Sequence, residues 1–250
     1  DFIRGLVDRY RNLGYKAKKK ITFIIGRIFL YYVLIELAYL FSKGKIVAIT
    51  GTNGKTTTTA LTGEIMRTFF SNVLVVGNIG TPYTSLVQTT DEDSVTVAEI
   101  SSFQLETVDT FHPAVSAILN VTPDHLNRHY TMEAYSEAKE NIAKNQLTEE
   151  VCVLNYENEY TRKFGEKCPA KVVYFSSARE LENGYFLQGE DIYKAENGKA
   201  EKLMNTKTDM NLVGVCNIEN VMAAIALAEG MKVPMSTVLQ VIKNFKAVEH

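Results

Sequence analysis

Ile46-Val47-Ala48-Ile49-Thr50-Gly51-Thr52-Asn53-Gly54-Lys55-Thr56-Thr57 is a β-branched strand that runs into a glycine-bearing turn and then into a helical pattern. That order is the context a phosphate-binding loop requires. Glycines let backbone N–H groups turn inward on an anion, Lys55 has the reach and charge for β- and γ-phosphates, and the Thr56 hydroxyl suits Mg²⁺. Gly51, Thr52, Asn53, Gly54, Lys55, Thr56 and Thr57 are therefore the candidate cradle for a triphosphate. The loop is a shortened G-x-x-G-K-[ST] form, because Ile49 stands where the general pattern has its first glycine. Read without its context, the same stretch is a polar strand-to-helix turn.

Working outward, short apolar runs alternate with helical patterns from Lys45 onward, the signature of a parallel sheet covered by helices. Strands are expected at Ile46–Thr50, Val73–Val76, Val95–Glu99, Val115–Asn120, Val151–Asn155 and Val172–Phe175. Helices are expected at Lys55–Phe70, Ser102–Thr110, Met132–Asn145, Asn217–Met231 and Ser236–Phe245. Tyr185–Gln188 and Asp191–Lys194 flank Gly189-Glu190 and read as a hairpin, a small antiparallel insertion. The expected class is α/β, a mostly parallel sheet with flanking helices and a phosphate loop.

Before Gly44 the chain reads differently. Ile21 to Phe41 is an apolar run of nearly membrane-spanning length, preceded by Lys16, Lys18, Lys19 and Lys20. Arg27 and Glu36 lie inside it, and one central arginine alone costs about 2.5 to 3.5 kcal/mol of insertion. A buried helix or strand competes with a cytoplasmic anchor for this run, and a membrane partner is not expected. No small-residue cleavage pattern follows the run.

Composition sets outer bounds. With 250 residues, 46% hydrophobic and 22% charged, the chain has enough apolar material for a core without staples. A net charge of −2 argues against a basic nucleic-acid surface. Cys152, Cys168 and Cys216 are odd in number and widely spaced, which excludes a disulfide framework and fits a reducing cytosol.

Four further stretches stand beside the loop. Glu99-Ile100-Ser101-Ser102-Phe103-Gln104-Leu105-Glu106 follows a strand, so Glu99 sits at the carboxyl edge where open α/β sheets bind ligands. It is equally an N-capping acid for the next helix. Asn120-Val121-Thr122-Pro123-Asp124-His125-Leu126-Asn127-Arg128-His129 closes the next strand, and Tyr135-Ser136-Glu137-Ala138-Lys139 lies on a helix. Asn217-Ile218-Glu219-Asn220 opens another helix and puts two amides at i and i+3, on one face, where they can pair with a base edge.

Together with the shortened loop, these stretches resemble the Mur ligase family over about residues 35–250, and the Ser101-to-Glu106 segment resembles that of its D-glutamate-adding branch. The resemblance implies ATP and Mg²⁺ as cofactors, with Thr56, Glu99, His125 and a carbamylated Lys139 as metal ligands. It implies that Lys55, Lys139 and His125 carry catalysis, that Asn217, Asn220 and His250 complete the nucleotide site, and that Asn78, Ser101 and Gln104 meet the substrate. On spacing alone Lys139 is a solvated helix lysine, His125 a solvated loop histidine, and Asn78 part of a plain turn. Asn127 stands where the family usually has aspartate, and Cys216 where it usually has histidine.

What the resemblance implies about function is ATP-driven joining of D-glutamate to UDP-N-acetylmuramoyl-L-alanine in cell-wall synthesis, by a cytoplasmic, monomeric enzyme. The implied organisation is an atypical segment over residues 1–44 and an ATP-binding central domain over residues 45–250. The D-glutamate domain is expected to be absent, so the chain alone is expected to be inactive. A different amino-acid ligase of the family, one that glutamylates folate, or a non-catalytic nucleotide-binding module are the competing readings.

Overall fold

A computed structural model describes residues 35–77 and 81–246, and the account that follows is confined to them. Asn78 and His250 lie outside the described residues, as do Lys16, Lys18, Lys19, Lys20 and the first two thirds of the apolar run.

Nine strands form one sheet in the order β2-β3-β1-β4-β5-β6-β7-β8-β9. In chain order they are β1 Lys45–Thr50, β2 Val73–Gly77, β3 Val95–Glu99, β4 Val115–Ile118, β5 Val151–Asn155, β6 Lys171–Ser176, β7 Gly184–Gln188, β8 Asp191–Glu196 and β9 Lys199–Asn205. Pairings from β2 through β7 are parallel, and β7, β8 and β9 pair antiparallel at the far edge. The expected α/β class with its antiparallel insertion is what the chain adopts.

β1 lies between β3 and β4: after β1 the chain runs to the edge strand β2, returns inward to β3 beside β1, and then crosses to β4 and builds outward on the other side. This is the topological switch point, and the carboxyl end of β1 opens into the crevice there. Each face of β1 feeds a different core. Val47 and Ile49 pack with helix α1 (Lys55–Arg67), α6 (Val215–Gly230) and α7 (Met235–Asn244), while Ile46 and Ala48 pack into the opposite layer with Ile35, Ala38, Leu105 and Tyr135. α6 is apolar all round from Val221 to Ala228 because the sheet covers one side of it and α1 and α7 the other.

Several elements differ from expectation for identifiable reasons. The helix expected over Ser102–Thr110 stops after one turn, as α2 (Ser102–Leu105). The backbone N–H groups of Asp109, Thr110 and Phe111 donate instead to the Glu36 carboxylate at 3.0, 2.7 and 3.1 Å, which removes them from a helical ladder. Glu36, the charge that argued against a membrane anchor, is thus a buried acceptor in a helical stretch, residues 35–41, packed on the sheet. Among the described residues no helix is long and apolar enough to cross a membrane.

Two helices went unexpected, α3 (Leu126–His129) and α5 (Glu159–Gly165, capped by Asn158), each too short for periodicity to register. α4 (Met132–Glu140) starts where expected but ends five residues short of Asn145, passing into a 3-10 turn at Asn141–Ala143, and α6 starts two residues early at Val215. β9 was hidden because Lys199, Ala200, Glu201 and Lys202 are exposed on an edge strand, where lysine blunts pairing with other chains.

Candidate active site

The turn after β1 takes the shape its glycines permit. Gly54 is left-handed at φ 84°, and a Cβ built there would lie 2.2 Å from Asn220 Oδ1. Only glycine admits both the conformation and the approach of α6.

The loop is braced by the segment that follows β4 and by α4. Asn53 N donates to Asn120 Oδ1 at 2.8 Å, and Asn120 Nδ2 returns a bond to Asn53 O at 3.1 Å. Thr122 N donates to Thr52 Oγ1 at 3.1 Å, and the Tyr135 hydroxyl lies 3.3 Å from the same oxygen. No role of this kind is legible in the sequence for Asn120, Thr122 or Tyr135, because reciprocal amide bonds across 67 residues leave no local signal.

Two ammonium groups meet at this loop. Lys55 Nζ donates to Gly51 O at 3.0 Å and Thr52 O at 2.9 Å, and Lys139 Nζ donates to the same Gly51 O at 3.0 Å. Burial holds the Lys55 pKa below the usual ammonium range, with Glu99 and Asp124 opposing. Lys139 is only 1% exposed, its Nζ 4.5 Å from the centre of the Tyr135 ring. Burial first, and then the neighbouring Lys55 charge, lower its pKa to about 7, against a smaller opposing effect of Asp124. The solvated-lysine reading that spacing favours is therefore wrong. Near neutrality this side chain is divided between ammonium and amine.

Glu99 ends β3 next to the loop. Its Oε2 accepts from the Thr56 hydroxyl at 3.1 Å, while Oε1 is buried without a hydrogen-bond partner. A buried, unpaired carboxylate oxygen costs about 1–3 kcal/mol or more unless something fills its coordination, and a hard cation does so. No group of three His, Cys, Asp or Glu side chains gathers as a metal cage among the described residues. Mg²⁺ does not need one, since it binds through one or two carboxylates together with phosphates and water. The donor set around Thr56 and Glu99 fits that ion.

A cavity of about 210 Å³ carries Lys55, Lys139, His125, Ser101, Asp124 and Tyr135 on its walls. His125 is left-handed at φ 52°, about half exposed, with Nε2 3.5 Å from Asp124 Oδ2 and its ring 4.9 Å from Phe103. Ser101 and Gln104 form a capping box, with Ser101 N donating to Gln104 Oε1 at 2.9 Å and Gln104 N to Ser101 Oγ at 3.3 Å. Ser101 reaches the cavity, whereas Gln104 is buried behind it.

On the other side of the loop a cavity of about 290 Å³ runs from Asn53 and Gly54 to Asn155, Cys216, Glu219 and Asn220. The Asn217 and Asn220 amides do lie together, Asn220 Nδ2 donating to Asn217 Oδ1 at 3.4 Å, but Asn217 Nδ2 is turned onto Val213 O at 2.8 Å and does not line the cavity. Glu219 does line it. Ser177 Oγ donates to Glu219 Oε1 at 2.6 Å, and burial raises the Glu219 pKa above its ordinary value. Its place at the third position of a four-residue motif gave no hint of this.

Residues 49–228 match the family model described as the Mur ligase middle domain. A protein of Lachnoclostridium phytofermentans named UDP-N-acetylmuramoylalanine–D-glutamate ligase is 57% identical over 216 residues, covering 86% of this chain and 47% of the relative. A protein of the same name from Lachnospira eligens is 55% identical, with 86% and 48% covered. The chain thus spans about half the length of these curated relatives. A solved structure of UDP-N-acetylmuramoyl-L-alanyl-D-glutamate–2,6-diaminopimelate ligase superposes with a TM-score of 0.67 at 20% identity, covering 88% of this chain and 52% of that one, a likeness of fold.

Proposed function

The chain belongs to the Mur ligase family, and from that membership we propose that it is the ATP-binding part, residues 45–250, of a ligase that joins D-glutamate to UDP-N-acetylmuramoyl-L-alanine. The observation that carries the nucleotide half of this reading is the Thr56–Glu99 pair at the mouth of the glycine turn, with its unpaired buried oxygen. The choice of substrates is supported by the high identity to ligases of that name and by the Ser101-to-Glu106 stretch.

In this reading the triphosphate lies on the Gly51–Thr57 turn, with adenine in the 290 Å³ cavity and the muramoyl-alanine carboxylate in the 210 Å³ cavity. The carboxylate oxygen attacks the γ-phosphorus, ADP departs, and an acyl phosphate forms. The D-glutamate amine then attacks the acyl carbon, phosphate leaves, and the nitrogen gives up its proton as the amide forms. Lys55 supplies fixed positive charge beside the transferring group. Thr56, Glu99, His125 and a modified Lys139 would hold magnesium, which when bound neutralises charge building on the phosphoryl oxygens.

Lys139 suits that modification because a pKa of about 7 supplies neutral amine for reaction with CO₂. The product is an anionic carbamate and a released proton, which turns a cation that repels metal into two oxygen donors. ATP and a uridine-linked substrate set the reaction in the cytoplasm, and the parts of the relatives outside this chain would bind the uridine group and D-glutamate.

The test is phosphate release by the full-length protein carrying this domain. Release that requires both the muramoyl-alanine nucleotide and D-glutamate is expected. Release driven equally by another amino acid would overturn the substrate assignment, and the absence of nucleotide binding would overturn the site.

A further inference from the structure

Behind the 210 Å³ cavity lies a buried histidine that the proposed chemistry does not use. His129 is 6% exposed, its Nε2 is 3.0 Å from Ser102 Oγ, and its Nδ1 is 3.3 Å from Glu106 Oε1. A carboxylate only accepts, so the neutral imidazole places its proton on Nδ1 toward Glu106 and leaves Nε2 to accept the Ser102 hydroxyl. The second Glu106 oxygen accepts from Arg128 Nη2 at 2.6 Å, which fixes the carboxylate in turn. The imidazole stacks on Phe103, centroids 5.5 Å apart and planes 7° from parallel, and lies 4.9 Å from the Tyr135 ring.

His129 and its partners come from three segments that reach the site separately. Ser102 and Phe103 follow β3, His129 belongs to the one-turn helix that His125 opens, and Tyr135 shares α4 with Lys139. Ser102, Phe103, His125 and Tyr135 line the cavity, and His129 does not. α3 has four residues and no side-chain cap, so its own ladder cannot hold it in place.

We propose that His129 is a positioning residue of the ligation, a clamp that ties the short helix opened by His125 to Ser102 and Glu106 of the segment after β3, and so holds His125 and Ser102 in place on the cavity wall. The inference rests on the function proposed above and adds a residue to it. Displacement of reacting groups by about 1 Å costs on the order of a hundredfold in rate. The nucleotide cavity lies across the glycine turn and shares none of these side chains. Loss of the clamp therefore lowers turnover and spares binding of the base.

The test uses the full-length protein with His129→Phe, which keeps the ring stack and removes both hydrogen bonds. Expected are a ten- to hundredfold fall in kcat, an adenosine affinity within about twofold of the unsubstituted protein, and a partial return of kcat in His129→Gln, whose amide reaches the Ser102 hydroxyl. Ser102→Ala combined with His129→Phe should be no worse than the poorer single variant. A kcat per folded molecule that stays normal while the melting temperature falls overturns the proposal, and so do additive losses in the double variant. Imidazole ¹⁵N spectra of the unsubstituted protein read the clamp without activity, with a protonated Nδ1 and bare Nε2 expected and the reverse tautomer contradicting it. If the unsubstituted protein forms no amide, the proposed function fails, while the ¹⁵N spectrum still decides whether the clamp exists.

Discussion

Lys139 shows how far a single residue departs from what spacing can say about it. Position four after Tyr135 on a polar-looking helix predicts a solvated ammonium, yet the side chain passes beneath the glycine turn and ends on Gly51 O. Only the tertiary approach of α4 to β1 puts it there, and no local pattern encodes that approach. The Ser102–His129–Glu106 contacts were hidden for the same reason, being formed between segments 23 to 27 residues apart. The positions of Glu99 and the glycine turn were legible because each stands at the carboxyl end of a strand.

The proposed carbamate makes Lys139 a demanding residue to replace. In the full-length protein Lys139→Ala is expected to abolish ligation, and acetate or formate, entering the vacated space, is expected to restore part of it. Lys139→Arg keeps a cation, cannot add CO₂, and should stay inactive whether or not the acid is present. Turnover assays with the acid titrated to saturation measure the rescue. Normal turnover in the arginine variant would remove the carbamate from the account.

At the scale of elements, the strands of the parallel sheet were readable because both their faces are buried and they appear as continuous β-branched runs. The failures came where one element depends on another. α2 ends early because Glu36, more than 70 residues away, takes the next backbone donors. Burial by itself would raise the Glu36 pKa, but bonds from the Thr110 hydroxyl and from the three backbone N–H groups hold it below the usual carboxylate value. A carboxyl depressed in the folded state stabilises the fold above its unfolded pKa, and that stability is lost as pH falls through the folded value. Glu36→Gln is thus expected to cost about 2 kcal/mol at pH 7, and the gap should close as pH drops below about 4. Urea melts of both proteins from pH 7 to pH 3 measure it, and a gap independent of pH would show that the carboxylate charge is not what holds residues 109–111.

The glycine turn carries an element-scale prediction of its own. Gly54→Ala must strain a left-handed residue and push Asn220 off the loop. The fold should lose about 1–2 kcal/mol. Nucleotide affinity should fall much further, because the turn and α6 would no longer meet. Thermal melts paired with calorimetric titration of ADP would separate the two, and unchanged affinity would mean that the Gly54–Asn220 contact is not part of the site.

Across the whole molecule, the two cavities flank one loop at the one place where strand order reverses. That placement follows from chain topology and was predictable once β1 was recognised as the strand before the glycine turn. How the two cavities differ was not, since it depends on Lys139 and His125 reaching one side and α6 the other.

The central claim is that the Gly51–Thr57 turn holds the phosphates of a nucleotide whose base lies apart from them. Calorimetric titration of this chain and its Lys55→Ala variant with ATP in excess Mg²⁺, and separately with adenosine, tests it most directly. Only the phosphates meet the Lys55 charge. The account predicts a large loss of ATP affinity in the variant with adenosine binding little changed. Equal losses for both ligands, or ATP binding that survives the substitution intact, would contradict it.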